Sequence, residues 1–74
     1  MVVYLVMTET RDSNTNELLS AECRAVFDSE EKAKSYILYH LAKYDDNSGR
    51  KAFYYVYACE NQDISYFPVM RIEV

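Results

Sequence analysis

Glycine and proline occur once each in this chain, at Gly49 and Pro68. That scarcity argues against a loop-rich or low-complexity chain. A phosphate cradle needs a glycine-rich loop ahead of a helix, and the lone glycine follows the only helical pattern, so the familiar cradles are excluded. Cysteine is nearly as sparse: Cys23 and Cys59 allow one bridge at most, and with His40 as the sole histidine they match no zinc-site spacing. Basic residues are outnumbered, eight Lys and Arg against twelve Asp and Glu, for a net charge of −4. Affinity for a phosphate backbone comes from Lys and Arg, so nucleic acid is not an expected partner, whereas a protein partner with a basic surface fits. No apolar run approaches the ~20 residues that cross a bilayer, so no membrane partner is expected. Residues 2–7 are apolar but have no basic flank or small-residue cleavage site, so no signal peptide is expected. A cytoplasmic protein with both thiols reduced follows from that.

What the chain has is apolar and aromatic material. Half of its 74 residues are hydrophobic and eight are tyrosines, enough for the core of one small domain. Residues 2–9 read as a strand that is apolar on both faces, with Val3, Leu5 and Met7 on one and Val2, Tyr4 and Val6 on the other. Residues 11–17 are polar turn formers and predict a hairpin loop. Residues 18–27 alternate, with Leu19, Ala21, Cys23, Ala25 and Phe27 expected in the core and Ser20, Glu22 and Arg24 outside.

Asp28 or Ser29 can cap a helix that starts near Glu30, and Asp28 with Glu31 has capping-box spacing. Ala33, Ile37, Leu41 and Tyr44 then recur at helical steps to about residue 43, with Tyr36 and His40 beside the stripe. Residues 45–49 end the helix, Gly49 suiting a left-handed turn. Residues 51–59 are a β-prone strand, residues 60–65 a polar turn, and residues 66–74 a closing strand with Pro68 at an edge or near its start. The expected architecture is α+β, in the order ββαββ: a four-stranded, mainly antiparallel sheet with one helix across one face.

One helix covers one face, and a four-stranded sheet has two. Strands ~4.8 Å apart and ~20 Å long give the second face roughly 400 Å² in plan. That face is expected to carry Tyr4 or Leu5 from the first strand. The third strand offers Phe53, Tyr55 and Tyr57 on one side or Tyr54 and Val56 on the other. The last strand should bury Met70, Ile72 and Val74 and expose Phe67, Val69, Arg71 and Glu73. The expected protein-binding set is Tyr4, Tyr55 and Tyr57, framed by Glu22, Arg24, Arg71 and Glu73. Tyrosine is large, has few rotatable bonds and keeps a polar tip, and Arg among aromatics suits an interface centre. Self-association through this face or an edge strand belongs to the same reading. The alternative is a small-molecule or nucleotide-sensing domain with a tyrosine-lined pocket.

No catalytic, cofactor or metal site is assigned. His40 as a general base would need a nucleophile, and Cys23, between Ala21 and Ala25, reads as an inert core residue. Asp45, Asp46 and Asn47 lack the alternating ligands of a calcium loop. Lys51, Phe53, Tyr55 and Val56 are similar to the base-stacking strand of RNA-recognition domains. Ala52, Tyr54 and Ala58 depart from that strand, and that fold needs two helices.

Tyr4, Val6 and Glu9 (Y-x-V-x-x-E), the polar hairpin loop, and Phe27, Ser29, Glu31 and Ala33 (F-x-S-x-E-x-A) together resemble small uncharacterised proteins of phages and bacteria. The similarity covers roughly the first half of the chain. It implies a compact sheet-and-helix domain from a mobile genome. Small acidic phage proteins often inhibit host factors, anti-CRISPR proteins among them, so an inhibitor of a host defence protein is the associated expectation.

Overall fold

The computed structural model describes residues 1–41 and 49–73. It contains β1 (Val2–Asp12), β2 (Leu18–Phe27), α1 (Glu30–Leu41), β3 (Arg50–Glu60), β4 (Asp63–Ile64) and β5 (Met70–Glu73). The fold is α+β, in the expected order. The sheet runs β2-β1-β3, with β4 and β5 sharing the far edge of β3, and every pairing is antiparallel. The expected helix end near residue 43, Tyr44, most of the 45–49 turn and Val74 lie outside the described residues.

Local chemistry explains the ends of these elements. β1 runs further than expected, taking in Arg11 and Asp12, because Asp12 begins the turn itself. Its Oδ1 accepts from the amides of Asn14 (2.8 Å) and Thr15 (3.0 Å), and its own amide donates to the Glu17 carbonyl (2.9 Å). Ser29 caps α1, its Oγ accepting from the Lys32 amide at 3.2 Å. Asp28 instead pairs with Lys32 Nζ at 2.9 Å, so the expected capping box does not form. Gly49 takes φ +70°, the left-handed region open to glycine, and its carbonyl accepts from both the amide and the hydroxyl of Ser13.

The β1–β3 register places Tyr4, Val6 and Thr8 opposite Ala58, Val56 and Tyr54, all on the helix side. Ala33 and Ile37 descend from α1 onto Val6 and Val56, and these four side chains are fully buried. Tyr4, Phe27, Tyr36, Leu41, Tyr54, Met70 and Ile72 pack around them. The expected inward positions of α1 and β5 are therefore found wherever they are described.

β2 corrects the expectation. Its pairing with β1 steps from Val6↔Ala25 to Met7↔Cys23, so Arg24 is an extra residue without a counterpart. One extra residue turns the rest of a strand over. Ala25 and Phe27 face the helix, while Cys23 and Ala21 come to the opposite side beside Met7 and Glu9. Glu22 and Arg24 move to the helix side, where Arg24 Nε donates to Thr8 Oγ1 (3.3 Å) and Arg24 Nη2 pairs with Glu22 Oε1 (2.9 Å). Cys23, expected in the core, is exposed.

The closing strand is also not continuous. Asn61 (φ 51°) and Gln62 (φ 74°) form a two-residue turn of the type I′ kind, which pairs Glu60 with Asp63 and Cys59 with Ile64. The Ser65 amide then bonds the Ala58 carbonyl, and the Val69 amide bonds the Val56 carbonyl, each at 2.7 Å. Between these anchors Tyr66, Phe67 and Pro68 occupy the space opposite Tyr57 alone, and the ladder resumes with β5. Pro68, with no amide to donate, sits where no ladder bond is asked of it.

Candidate protein-binding face

The sheet side away from α1 can be followed row by row from the registers. Val3 lies beside Cys59, which pairs with Ile64; Leu5 lies between Val26 and Tyr57; Met7 lies between Cys23 and Tyr55, which pairs with Arg71. Glu9 follows between Ala21 and Phe53, which pairs with Glu73, and Arg11 stands opposite Lys51. The upper rows are thus almost wholly apolar and aromatic, and the lower rows carry the charge. No described helix covers this side.

Four of the seven expected residues meet here: Tyr55, Tyr57, Arg71 and Glu73. The other three do not. Tyr4 packs against the helix-side core, leaving Leu5 on the open face, and Glu22 and Arg24 are turned to the helix side by the bulge. Leu5, Met7 and Ile64 are members that the sequence reading did not resolve. Leu5 and Met7 stood as one of two options for a strand apolar on both faces. Ile64 lay in a segment read as a turn, though the short β4 follows from the tight turn before it.

The aromatic part is held in place by cross-strand contacts. The Arg71 guanidinium sits over the Phe53 ring (5.4 Å) and the Tyr55 ring (5.8 Å), and Tyr55 and Tyr57 are 6.5 Å apart. A cation over an aromatic face contributes about 0.5–1 kcal/mol at an exposed site. The lid matters for Phe53, which is only 6% exposed although it faces away from the helix. Glu9 and Arg11 pair at 3.2 Å, so part of the charge at the lower end is already neutralised. In the upper rows, Leu5, Met7, Tyr57 and Ile64 line an apolar cleft of about 270 Å³.

Beside this face, at the β3 edge, the 66–68 excursion presents Tyr66 and Phe67, 91% and 74% exposed, with rings 5.0 Å apart edge to face. The two 2.7 Å backbone bonds that flank it fix both its ends to β3. Exposed aromatics on a pre-set backbone lose little conformational freedom when they dock.

The groups considered for chemistry do not come together. His40 lies on α1, its ring 4.3 Å from Tyr36 and 5.5 Å from Tyr39. Cys23 and Cys59 sit on the far side of the sheet, so the sheet separates both thiols from the imidazole. Among the described residues no three His, Cys, Asp or Glu side chains are grouped to hold a metal ion. The two shifted acids, Asp12 and Asp28, lie outside the face. Backbone amides of Thr15 and Asn14 lower the first, and the Lys32 ammonium lowers the second. Among the described residues no helix is long and apolar enough to cross a membrane. No protein-family model, curated protein sequence or solved structure significantly matches the chain.

Proposed function

We propose that the chain is a non-catalytic protein-binding module that acts by covering an apolar surface of a protein partner with its open sheet face. One observation carries the reading: Leu5, Met7, Tyr57 and Ile64 form a contiguous apolar cleft on a side of the sheet that α1 does not reach. Large exposed apolar patches with a polar rim mark interaction surfaces in small proteins. Here the rim is Glu9, Arg11, Lys51 and Glu73, and Arg71 caps the aromatic centre, the residue types that dominate interface energetics. The resemblance to small phage proteins extends the reading to a host protein as the partner and inhibition by masking as the outcome, in the cytoplasm with both thiols free. A ligand-sensing pocket is a poorer fit. On the open face the cleft of about 270 Å³ falls below the ~300–1,000 Å³ of small-molecule sites and polar groups do not converge on it, whereas the larger hollow of about 640 Å³, lined by Tyr36 and Tyr39 with Ser29, Glu31 and Lys32, lies beside α1, away from the face with the expected tyrosines.

Affinity capture from cells tests this with three baits: the wild type, Tyr57→Glu, and Leu38→Glu on the exposed side of α1. Proteins held by the wild type and Leu38→Glu but released by Tyr57→Glu are the expected result. Equal recovery by all three baits, with each folded by circular dichroism, removes the open face from consideration.

A further inference from the structure

We infer that the hollow at the β3–β4 corner of the sheet receives an arginine side chain of a protein partner, with its guanidinium held between Glu60 and Asp63. The site is separate from the open face. Glu60 lies two positions beyond Ala58 on β3, so it projects to the helix side, and Asp63, opposite it in the ladder, projects with it.

Shape is the first argument. The hollow has a volume of about 450 Å³, and Val2, Ala58 and Ile64 supply its apolar lining. The space follows from Ala58. The helix-side positions of β3 before it carry Tyr54 and Val56, and a methyl group in that series leaves room beyond the helix-side core. Ser65 fixes one wall. Its amide donates to the Ala58 carbonyl (2.7 Å) and its Oγ accepts from the Ala58 amide (3.1 Å), so the chain after β4 is clipped to β3. A lining set before anything binds lowers the ordering cost of docking.

Charge is the second argument. Residues directly opposite in an antiparallel pair have Cβ atoms about 4.5–5.5 Å apart, and like charges placed there are destabilising. Glu60 and Asp63 are such a pair, next to the Asn61–Gln62 turn. No lysine, arginine or terminal amine forms an ion pair with either carboxylate among the described residues, whereas Glu9, Glu22 and Asp28 each have a basic partner. A local rule broken without compensation is what functional positions show. A cation from outside relieves the repulsion, and the apolar lining takes the stem that carries it.

Arginine fits this arrangement better than other cations. Its planar fork offers N–H groups on two edges, one for each carboxylate, whereas a lysine ammonium is a point charge. A calcium ion takes about six to eight oxygen ligands, and here two carboxylates stand beside apolar side chains.

The test is an NMR titration of the isotope-labelled protein with acetyl-Gly-Arg-Gly-amide and with its citrulline and lysine counterparts. The arginine peptide is expected to shift the amides of Ala58, Glu60, Asp63 and Ser65 saturably. It should bind roughly tenfold tighter than the uncharged citrulline peptide, as two exposed ion pairs predict, and more weakly as salt is added. Glu60→Gln and Asp63→Asn should each weaken binding severalfold and raise the thermal midpoint, because each ends the like-charge contact; a purely structural role for the acids predicts a lower midpoint. No saturable shift, equal binding of the citrulline or lysine peptide, or binding unchanged in both variants overturns the inference. Tyr57 lies on the opposite side of the sheet, so Tyr57→Glu should leave the titration unchanged, and the open-face reading stands or falls separately in the capture experiment.

Discussion

The turn between β3 and β4 decides which way Ile64 faces, and it can be tested by one substitution. Asn61 and Gln62 both have positive φ, 51° and 74°. Asn tolerates the left-handed region because its side chain can bond locally, but Gln has no such compensation. Holding an L residue there costs about 1–2 kcal/mol relative to a right-handed conformation. Glycine removes that cost and adds about 0.5–1 kcal/mol of unfolded-state entropy. Gln62→Gly is therefore expected to stabilise the fold by about 0.5–1 kcal/mol. At 4–8 °C per kcal/mol for a domain of this size, the midpoint should rise by about 2–8 °C. Gln62→Val, with a β-branched carbon at φ 74°, should lower it. Thermal unfolding followed by circular dichroism at fixed protein concentration reads both variants. A lower midpoint for Gln62→Gly, or a higher one for Gln62→Val, would show that position 62 is not left-handed. The two-residue turn would then be wrong, and with it the pairing that puts Ile64 beside Tyr57, since a slip of one residue reverses every side chain that follows.

Other expected outcomes follow from the same contacts. Ile37→Ala empties the centre of the helix–sheet core and should cost about 2–5 kcal/mol in urea titrations, a large share of the roughly 4–11 kcal/mol expected for a domain this small; a loss under 1 kcal/mol would contradict its burial. Ser29→Ala removes the acceptor for the Lys32 amide and should cost about 1 kcal/mol, whereas Asp28→Ala, which breaks only an exposed ion pair, should change little. The amides of Thr15 and Asn14 hold the Asp12 carboxyl below the ordinary aspartate range, and the Lys32 ammonium does the same for Asp28, so their stabilisation is complete above that range and is lost as the pH falls through the lowered values. Urea midpoints measured from neutral pH down to about pH 3 should fall in the wild type and fall less in Asp12→Asn, which keeps an acceptor for the turn amides; identical slopes would remove Asp12 from the account.

Much of the fold could be read from the chain because local chemistry and pattern agree there. The β2 limits, the polar hairpin loop, the helix start beside Ser29, the Ala33–Ile37 stripe and the inward Met70 and Ile72 each had a capping residue or a clear period behind them. The Arg24 bulge had neither. Leu19, Ala21, Cys23, Ala25 and Phe27 alternate without a break, and no glycine or proline marks the point where the strand turns over. Alternation reports a face only while the ladder stays in step, and the step is set by β1, not by β2 itself. Alanine and cysteine are small enough to sit on either side, so the reversal strands no large side chain at positions 21 and 23, although Leu18 and Leu19 at the start of β2 are left 48% and 46% exposed. The split closing strand was hidden for a related reason. Tyr66, Phe67 and Val69 are apolar and β-prone, yet the hydrogen bonds from the Ser65 and Val69 amides to β3 leave residues 66–68 off the ladder.

The least legible point, the orientation of β1, carries the most information about function. A strand covered on one side alternates, and its pattern says which side. β1 does not alternate in its first half: Val2, Val3, Tyr4, Leu5, Val6 and Met7 are apolar at consecutive positions. Tyr4 and Val6 pack under α1, whereas Val3, Leu5 and Met7 are enclosed only by their neighbours in the sheet and have no helix over them among the described residues. β3 repeats the situation, with Tyr54 and Val56 on the helix side and Tyr55 and Tyr57 opposite. Two adjacent central strands thus have the composition of strands covered on both sides, with one covering layer, α1, among the described residues. A polar residue at position 5 or 7 would have made the fold readable and would have been compatible with every contact made by α1. Leucine and methionine there are consistent with a second layer that comes from another molecule.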